Sequence, residues 1–493
     1  MQNAALLPIA PELVLLIGML GVVTSAVLLG RDRREWGLIA GVALAVAAIL
    51  AVMQWLLLGG EPGTLHYSAR GLSIMRAPMV VMDAYSAFAG VAIFSLGLLG
   101  LLAAWDLVET LGDRGAEFVA LLLLAVAGLH GMAMSSNLVL LFLSLETASI
   151  SFYVMAGFTR DRIDADEAAL KYFLLGSLAS AVFVYGIALS FAAIGSTTIY
   201  GAGGIRDFFS NTIVTERGVL LVGIVMIIVG LGFKVSAAPF HQWAPDVYQG
   251  APGGAVGLMA AGVKLAGFIA IGRVLAAGFA AQIDQWASII AIVAGISVIL
   301  GTSLAAVQTD VKRLLAYSGV AHAGYILTAV TAGIFGISAM LFYVTTYAAM
   351  LLGAFVIAGV VTGPREGPSS FVQWAGLRTR SPELAMAMAV LLLGLGGIPF
   401  TAGFVGKIQV FTAAASAGYL WLVVLALVTT VIGLYFYLKV IKVMFIDPVA
   451  DGVGPIEAST TARTVFAVAV GVTILFGLAP WPLLDIVRDA LPL

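Results

Sequence analysis

Four charged side chains stand deep inside long apolar runs of this sequence. They are Glu146 in NLVLLFLSLETASISFYVM, Lys234 closing LVGIVMIIVGLGFK, Lys264 in GLMAAGVKLAGFIAIG and Lys407 in TAGFVGKIQVF. A lysine or carboxylate at the centre of a bilayer costs about 2.5–3.5 kcal/mol on the insertion scale, so four together cost on the order of 10 kcal/mol. That is comparable with the net stability of a typical domain, roughly 5–15 kcal/mol. Groups this expensive need partners, water or a task, and inside a membrane they mark an ion or proton path. Glu146 lies too deep to reach either headgroup layer. A buried carboxylate needs a cation, and Lys234 is the first choice. Lys264 has small residues on both sides and no local counter-charge, and a lysine held so can gain and lose a proton. Lys407 has similar surroundings. His322, in SGVAHAGYIL, adds an imidazole that can pass a proton between its two nitrogens. Lys171, one turn inside its run after DADEAAL, and His241, beside a proline, are weaker candidates; the first can snorkel and the second can be a water-facing donor. Asp83 and Glu12 lie near run ends and are expected to be interfacial. The competing reading makes all these charges fixed structural ion pairs.

The elements that must hold such groups follow from composition. Hydrophobic residues make up 61% of the 493-residue chain and charged residues 10%, against roughly 25% charged in soluble domains. So few charges cannot cover a water-exposed surface. The apolar runs are long and lack period-two alternation, which excludes a membrane β-barrel and leaves helices. The 57 glycines suit closely packed membrane helices. The sequence thus predicts an all-α polytopic membrane protein with about fourteen transmembrane helices. With no cysteine there are no thiolate-bound Fe–S clusters, and the scattered histidines give no metal-ligand spacing, so neither cofactor nor metal is expected in this chain. A net charge of −2 gives no reason to expect a nucleic-acid partner. The first run, 11–29, carries acidic Glu12 where a signal peptide would be basic and reads as a retained helix.

Two runs, 218–249 and 382–416, are too long for one straight helix, and each contains a Pro-Phe pair with a nearby lysine: Pro239-Phe240 with Lys234, and Pro399-Phe400 with Lys407. Proline removes a backbone donor and clashes with the preceding turn, so both helices should break there. Broken helices at matching places in two halves point to inverted repeats with ion sites at the breaks. The expected division is an N-terminal part over 1–115, five-helix repeats over 116–283 and 284–446, each with a broken helix, and a closing segment over 447–493. Glu146 would tune Lys234, and protons would pass through Lys264 and His322 to Lys407, with water in the gaps. Lys and Arg distribution sets the orientation: with the N-terminus outside, about 14 basic residues fall in cytoplasmic loops and about 6 outside. Both termini are then expected outside.

The motifs PFHQWAPDVYQGAP, LLAYSGVAHAGYIL, AALKYFLLGSLASAVFVYG and LYFYLKVIKVMF occur in order along the chain. With them the sequence resembles the antiporter-like membrane subunits of respiratory complex I, the NADH-quinone oxidoreductases, which are related to Mrp-type cation/proton antiporters. The resemblance spans essentially the whole chain and favours the subunit N type, and secondarily the M type, since L-type members carry a long C-terminal extension with a lateral helix. It implies fourteen helices in two inverted repeats and proton translocation coupled to quinone reduction elsewhere. FMN, Fe–S clusters and quinone are expected in partner subunits, and neighbouring antiporter-like subunits of the membrane arm are the expected partners. It also implies roles: the fifth-helix glutamate falls on Glu146, the broken-helix lysines on Lys234 and Lys407, and the eighth-helix lysine on Lys264. The tenth-helix histidine falls on His322 and the sixth-helix lysine on Lys171. Two departures stand out. Gly253 and Gly254 follow Pro252 where the family commonly has Thr-Pro, and a single Pro399 stands where two prolines are frequent; both bear on flexibility at the mouths of the breaks. The runner-up is an Mrp-type antiporter without a redox partner. A bacterial plasma membrane is the expected location.

Overall fold

The computed structural model describes residues 6–28, 30, 33–58, 79–159, 162–363, 369–450, 452 and 454–492. Arg31, Arg70, Arg76, Arg160 and Arg365, which enter the charge-based orientation, lie outside the described residues. Among the described residues the architecture is helical, with isolated β-bridges in place of strands. The main helices are α1 (Ala10–Leu28), α2 (Arg33–Leu57), α3 (Ala84–Ala103), α4 (Gly115–Met134), α5 (Leu138–Ala156), α6 (Ile163–Ile194), α7 (Arg217–Lys234), α8 (Trp243–Gly250) and α9 (Gly253–Ile271). They continue with α10 (Ile283–Ala306), α11 (Val311–Val330), α12 (Ile337–Thr362), α13 (Pro382–Gly396), α14 (Ala402–Ser416), α15 (Leu420–Phe445), α16 (Thr460–Leu478) and α17 (Trp481–Asp489). Among the described residues twelve helical segments are long and apolar enough to cross a membrane. The chain is a multi-pass membrane protein.

Connections sort to two ends. At one, Val80 bridges Ser135 and Asn137 bridges Thr198, joining the segments before α3, between α4 and α5, and after α6. At the other, Asp310 bridges Ser370, Arg380 donates to the Gly454 carbonyl at 2.8 Å, and Arg463 pairs with Glu383 at 2.8 Å. That alternation is what successive crossings require. Helices α9 and α12 form the middle; every α9 residue except Gly254 is buried. Peripheral helices turn apolar side chains outward, Val27 being 75% exposed and Val431 71%. Toward lipid, such exposure carries none of the cost it would carry in water.

Both predicted breaks are present. Helix α7 stops at Lys234, and the chain turns through Ser236, at φ +58°, and a cis Ala238–Pro239 bond before α8 begins at Trp243. At the break the Phe233 carbonyl accepts from the Ser236 N–H at 3.1 Å and from Trp243 Nε1 at 3.0 Å. That indole stacks on Tyr172 with ring centroids 4.5 Å apart. The second long run divides into α13 and α14 around Pro399, with Gly397 at φ +80° and Phe400 at φ +69°. Thr401 restarts the helix as its N-cap, accepting from the Phe404 N–H. A proline alone can merely kink a helix; here left-handed residues turn the chain fully out of helical geometry.

Candidate functional site

Helix α5 sets one end of the polar line. Glu146, Ser149 and Tyr153 are three and four residues apart, so they share one face. Lys234 Nζ, at the C-terminal end of α7, donates to Ser149 Oγ at 2.6 Å and to Tyr153 OH at 3.2 Å. The expected direct Glu146–Lys234 contact is not formed. Glu146 instead accepts a short hydrogen bond from Ser180 of α6 and stays within Coulomb reach of Lys234. The physical reason is reach: Ser149 lies one turn nearer the break than Glu146, so the lysine meets the hydroxyl first. Nor is Glu146 fully buried; it is half-buried at the α5–α6 surface. A terminal C=O position favours a cation, which suits Lys234 where α7 ends.

Lys264, 1% exposed on α9, donates to the Gly319 carbonyl of α11 at 2.9 Å. A Cβ at Gly319 would stand 2.9 Å from Nζ and 3.0 Å from Tyr347 OH, so glycine is what lets this ammonium reach the backbone. One turn along α11, His322 is held on three sides. Its Nδ1 pairs with Tyr343 OH at 2.9 Å, its Nε2 with Tyr437 OH at 3.2 Å, and its ring stacks on Tyr347 at 4.7 Å. The imidazole lies within Coulomb reach of both Lys264 and Lys407. Lys407, one turn into α14, donates to the Gly396 and Leu395 carbonyls at 2.9 and 3.2 Å and lies over the Tyr325 ring. At the second break, then, backbone carbonyls hold the lysine, whereas at the first the hydroxyls of Ser149 and Tyr153 do.

Among the described residues, His241 Nδ1 and Tyr347 OH are buried along this line with no hydrogen-bond partner, and Ser236 Oγ and Tyr248 OH, which face each other, and Thr302 Oγ1, which faces Tyr325, make no well-formed hydrogen bond. Buried polar groups are almost always satisfied, so these atoms call for water. His241 is buried beside Tyr317 and lies within Coulomb reach of Lys264.

Lys171 does not reach the line. It pairs with Glu167 at 2.6 Å and Asp246 at 2.8 Å, and Arg313 holds the other Asp246 oxygen at 2.6 Å. With Asp164 and Gln249 these groups line a polar pocket of about 260 Å³ at the end of the molecule that carries the Asp310–Ser370 bridge. Sequence reasoning missed Asp246 and Arg313 here, although Asp246 stands inside the quoted PFHQWAPDVYQGAP motif. It also missed the tyrosines around His322, of which Tyr437 lies within LYFYLKVIKVMF. Asp83 and Glu12 are not simply interfacial. Asp83 is 6% exposed and bound bidentately by Arg273 at 2.7 and 2.9 Å, while Glu12 pairs with buried His130. Apolar surroundings close over both because α1–α3 pack against α4 and α9. Among the described residues no group of three or more His, Cys, Asp or Glu side chains could hold a metal ion.

Helices with interrupted middles, a lysine at each break and a buried histidine between them define an antiporter-like polytopic membrane protein. A family model described as NADH:quinone oxidoreductase/Mrp antiporter, TM matches residues 135–433, a stretch that contains Glu146, Lys234, Lys264, His322 and Lys407. The chain is 35% identical over 490 residues to NADH-quinone oxidoreductase subunit N of Rhodospirillum rubrum, covering 98% of this chain and 96% of that one. It is 41% identical over 389 residues to the subunit N of Mycobacterium tuberculosis, covering 78% and 72%. A chain of respiratory complex I from Thermus thermophilus superimposes with a TM-score of 0.79 at 32% identity, covering 96% of this chain and 98% of that one. The chain belongs to the NADH:quinone oxidoreductase/Mrp antiporter membrane family, in its subunit N branch.

Proposed function

We propose that this chain is a proton-translocating membrane-arm subunit of a respiratory NADH:quinone oxidoreductase. Quinone reduction, with FMN, Fe–S clusters and quinone, takes place in partner subunits, and neighbouring antiporter-like subunits flank this one. The observation that carries this is the line of buried ionisable groups from Ser149-bound Lys234 through Lys264 and His322 to Lys407, with buried, under-satisfied hydroxyls between them. Full-length identity to a subunit N favours this reading over an Mrp-type antiporter.

In this reading α7–α8 and α13–α14 each make one interrupted crossing, for fourteen in all. Residues 116–283 and 284–446 form the two inverted five-helix repeats, with 1–115 and 447–493 flanking them. The protein resides in a bacterial plasma membrane with both termini on the periplasmic side. Glu146, held at the α5–α6 surface, faces where a neighbouring subunit would sit and biases the charge of Lys234 through space. A proton leaving Lys234 is taken up by water near Ser236 and Tyr248 and delivered to Lys264. His322 relays it by receiving on one ring nitrogen and releasing from the other, with Tyr343 and Tyr437 as its hydrogen-bonding partners, and Lys407 accepts it beside the second break. Moving one charge against 100 mV takes about 2.3 kcal/mol, within reach of modest changes in lysine solvation. Lys171, in its ion cluster with Asp246 and Arg313, stands at the cytoplasmic mouth.

The test is Lys264→Met in native membranes, with assembly checked on native gels and NADH-driven quinone reduction and proton uptake followed in the same vesicles. Joint loss of both rates in an assembled complex supports the reading. Unchanged rates overturn the relay, and absence of NADH-linked activity in the wild-type complex transfers the protein to the antiporter reading.

A further inference from the structure

Away from the lysine line, a second buried titratable pair joins α1 to α4. His130, 1% exposed, contacts the Glu12 carboxylate through Nδ1, and its Nε2 lies 3.2 Å from the Ser86 carbonyl of α3. A backbone carbonyl only accepts, so Nε2 carries a hydrogen. One further proton then decides the state of the pair, because Nδ1 and the carboxylate oxygen both need it to bond to each other. With that proton the pair is neutral overall; without it a carboxylate stands against a bare ring nitrogen. Among the described residues the other oxygen of Glu12 is buried with no hydrogen-bond partner, while the side chain as a whole keeps 16% exposure. Gly90 makes the arrangement possible, since a Cβ there would lie 2.9 Å from Nε2.

The surroundings single out this pair. On α3 the ring meets Ser86, Gly90 and Phe94, and that helix's own titratable end group, Asp83, is engaged by Arg273. Helix α2 meets the same spot with Ala51, and α9 meets α4 with Gly262 against Leu129 while Lys264 turns toward Gly319. Ser86 links the two ion pairs: its carbonyl faces His130, and its N–H donates to Asp83 at 2.8 Å. The network runs from Glu12 to Arg273 at the end of the molecule where α1 begins, opposite the Lys171 cluster.

We propose that Glu12 and His130 form a second proton-binding station, exchanging one proton with the aqueous phase on the side of the termini. The proton moves between water at Glu12 and the shared position between Oε1 and Nδ1, with nothing else gained or lost. Its part in turnover rests on the proton-translocating reading above; its existence does not.

The experiment uses the whole complex in native membranes, with Glu12→Gln and His130→Asn. A pH-titrated infrared difference spectrum of the wild type should contain a carboxylic C=O band that both variants lose. NADH-driven proton release, normal in the wild-type control, should fall by about tenfold or more in assembled Glu12→Gln. A band that persists in Glu12→Gln overturns the proposal, and loss of the band with proton release unchanged overturns the pair's part in turnover. If Glu12→Gln does not assemble, Glu12→Asp decides: a shifted band supports the station and an unshifted one overturns it. A wild-type complex that releases no protons sinks the translocation reading instead, and the infrared band still reports on the pair.

Discussion

At the scale of single residues the lysines were legible because a charge in an apolar helix is expensive wherever it points. The hydroxyls that solvate them were not, because serine and tyrosine are tolerated on any membrane helix. Ser149 is the instructive miss. Its spacing from Glu146 and Tyr153 places all three on one face of α5, and that periodicity was available in the sequence. What was not available is that Lys234 ends one turn short of the carboxylate. Ser149→Ala should therefore remove one of the two hydroxyls that hold the Lys234 ammonium without removing either charge. A hydrogen bond to a charged group contributes about 1.5–3 kcal/mol, so NADH-driven proton uptake should slow by about tenfold or more in assembled complex. Ser149→Thr, which keeps the hydroxyl, should retain most of the rate. Gly319→Ala tests the next station. The added methyl would meet Lys264 Nζ at 2.9 Å and Tyr347 OH at 3.0 Å, so proton uptake should fall although no ionisable group changes. Equal uptake in Gly319→Ala and wild type would mean the carbonyl contact is dispensable.

At the scale of elements the breaks were the most legible feature, for a local reason. Proline and glycine act on their own turn, so their effect needs no knowledge of the neighbours. The run predicted over 382–416 is α13 from Pro382 to Gly396 followed by α14 from Ala402 to Ser416. The interactions that close each break depend on tertiary packing and could not be read: Trp243 turns back to the Phe233 carbonyl at the first, and Lys407 reaches the carbonyls of α13 at the second. Gly397 joins both arguments, having φ +80° and no room for a Cβ, which would fall 2.9 Å from Lys407 Cδ. Gly397→Ala should cost about 1–2 kcal/mol from the left-handed backbone alone and should also displace the lysine. The expected result is a lower thermal transition of the purified complex together with reduced proton uptake. Thr401→Val, which removes the N-cap and the hydroxyl's bond to the Ile398 carbonyl but leaves Lys407 and its carbonyls in place, should cost about 1 kcal/mol and leave uptake much closer to wild type. Similar uptake losses in both variants would mean the break needs rigidity in general and not the Gly397–Lys407 fit.

At the scale of the whole molecule the question is what binds α1–α3 to the rest. Arg273 lies in a wide-turn segment, Gly272–Gly278, that continues α9, and its guanidinium reaches across to Asp83 at the N-cap of α3. It also donates to the Ala133 carbonyl of α4 at 2.8 Å and to Tyr200 OH at 3.1 Å, and lies over the Tyr85 ring. One side chain thus ties three separate crossings and the segment after α6 at one end of the molecule. The sequence offered no hint of this, because Asp83 and Arg273 are 190 residues apart and each sits near an apolar run's end, where charges are ordinarily cheap. Removing one partner of a buried pair leaves the other charge uncompensated, a loss of about 3–5 kcal/mol. Arg273→Met alone should therefore lower the yield of assembled complex sharply on native gels. Asp83→Asn alone should do the same, since the guanidinium would remain buried with only neutral acceptors. Replacing both with apolar groups removes the stranded charge, so Asp83→Leu with Arg273→Met should recover part of the yield that either single change loses. If the double variant assembles no better than the worse single one, the loss comes instead from the Ala133, Tyr200 and Ser86 hydrogen bonds. The anchor of α1–α3 would then be the whole polar network around the pair.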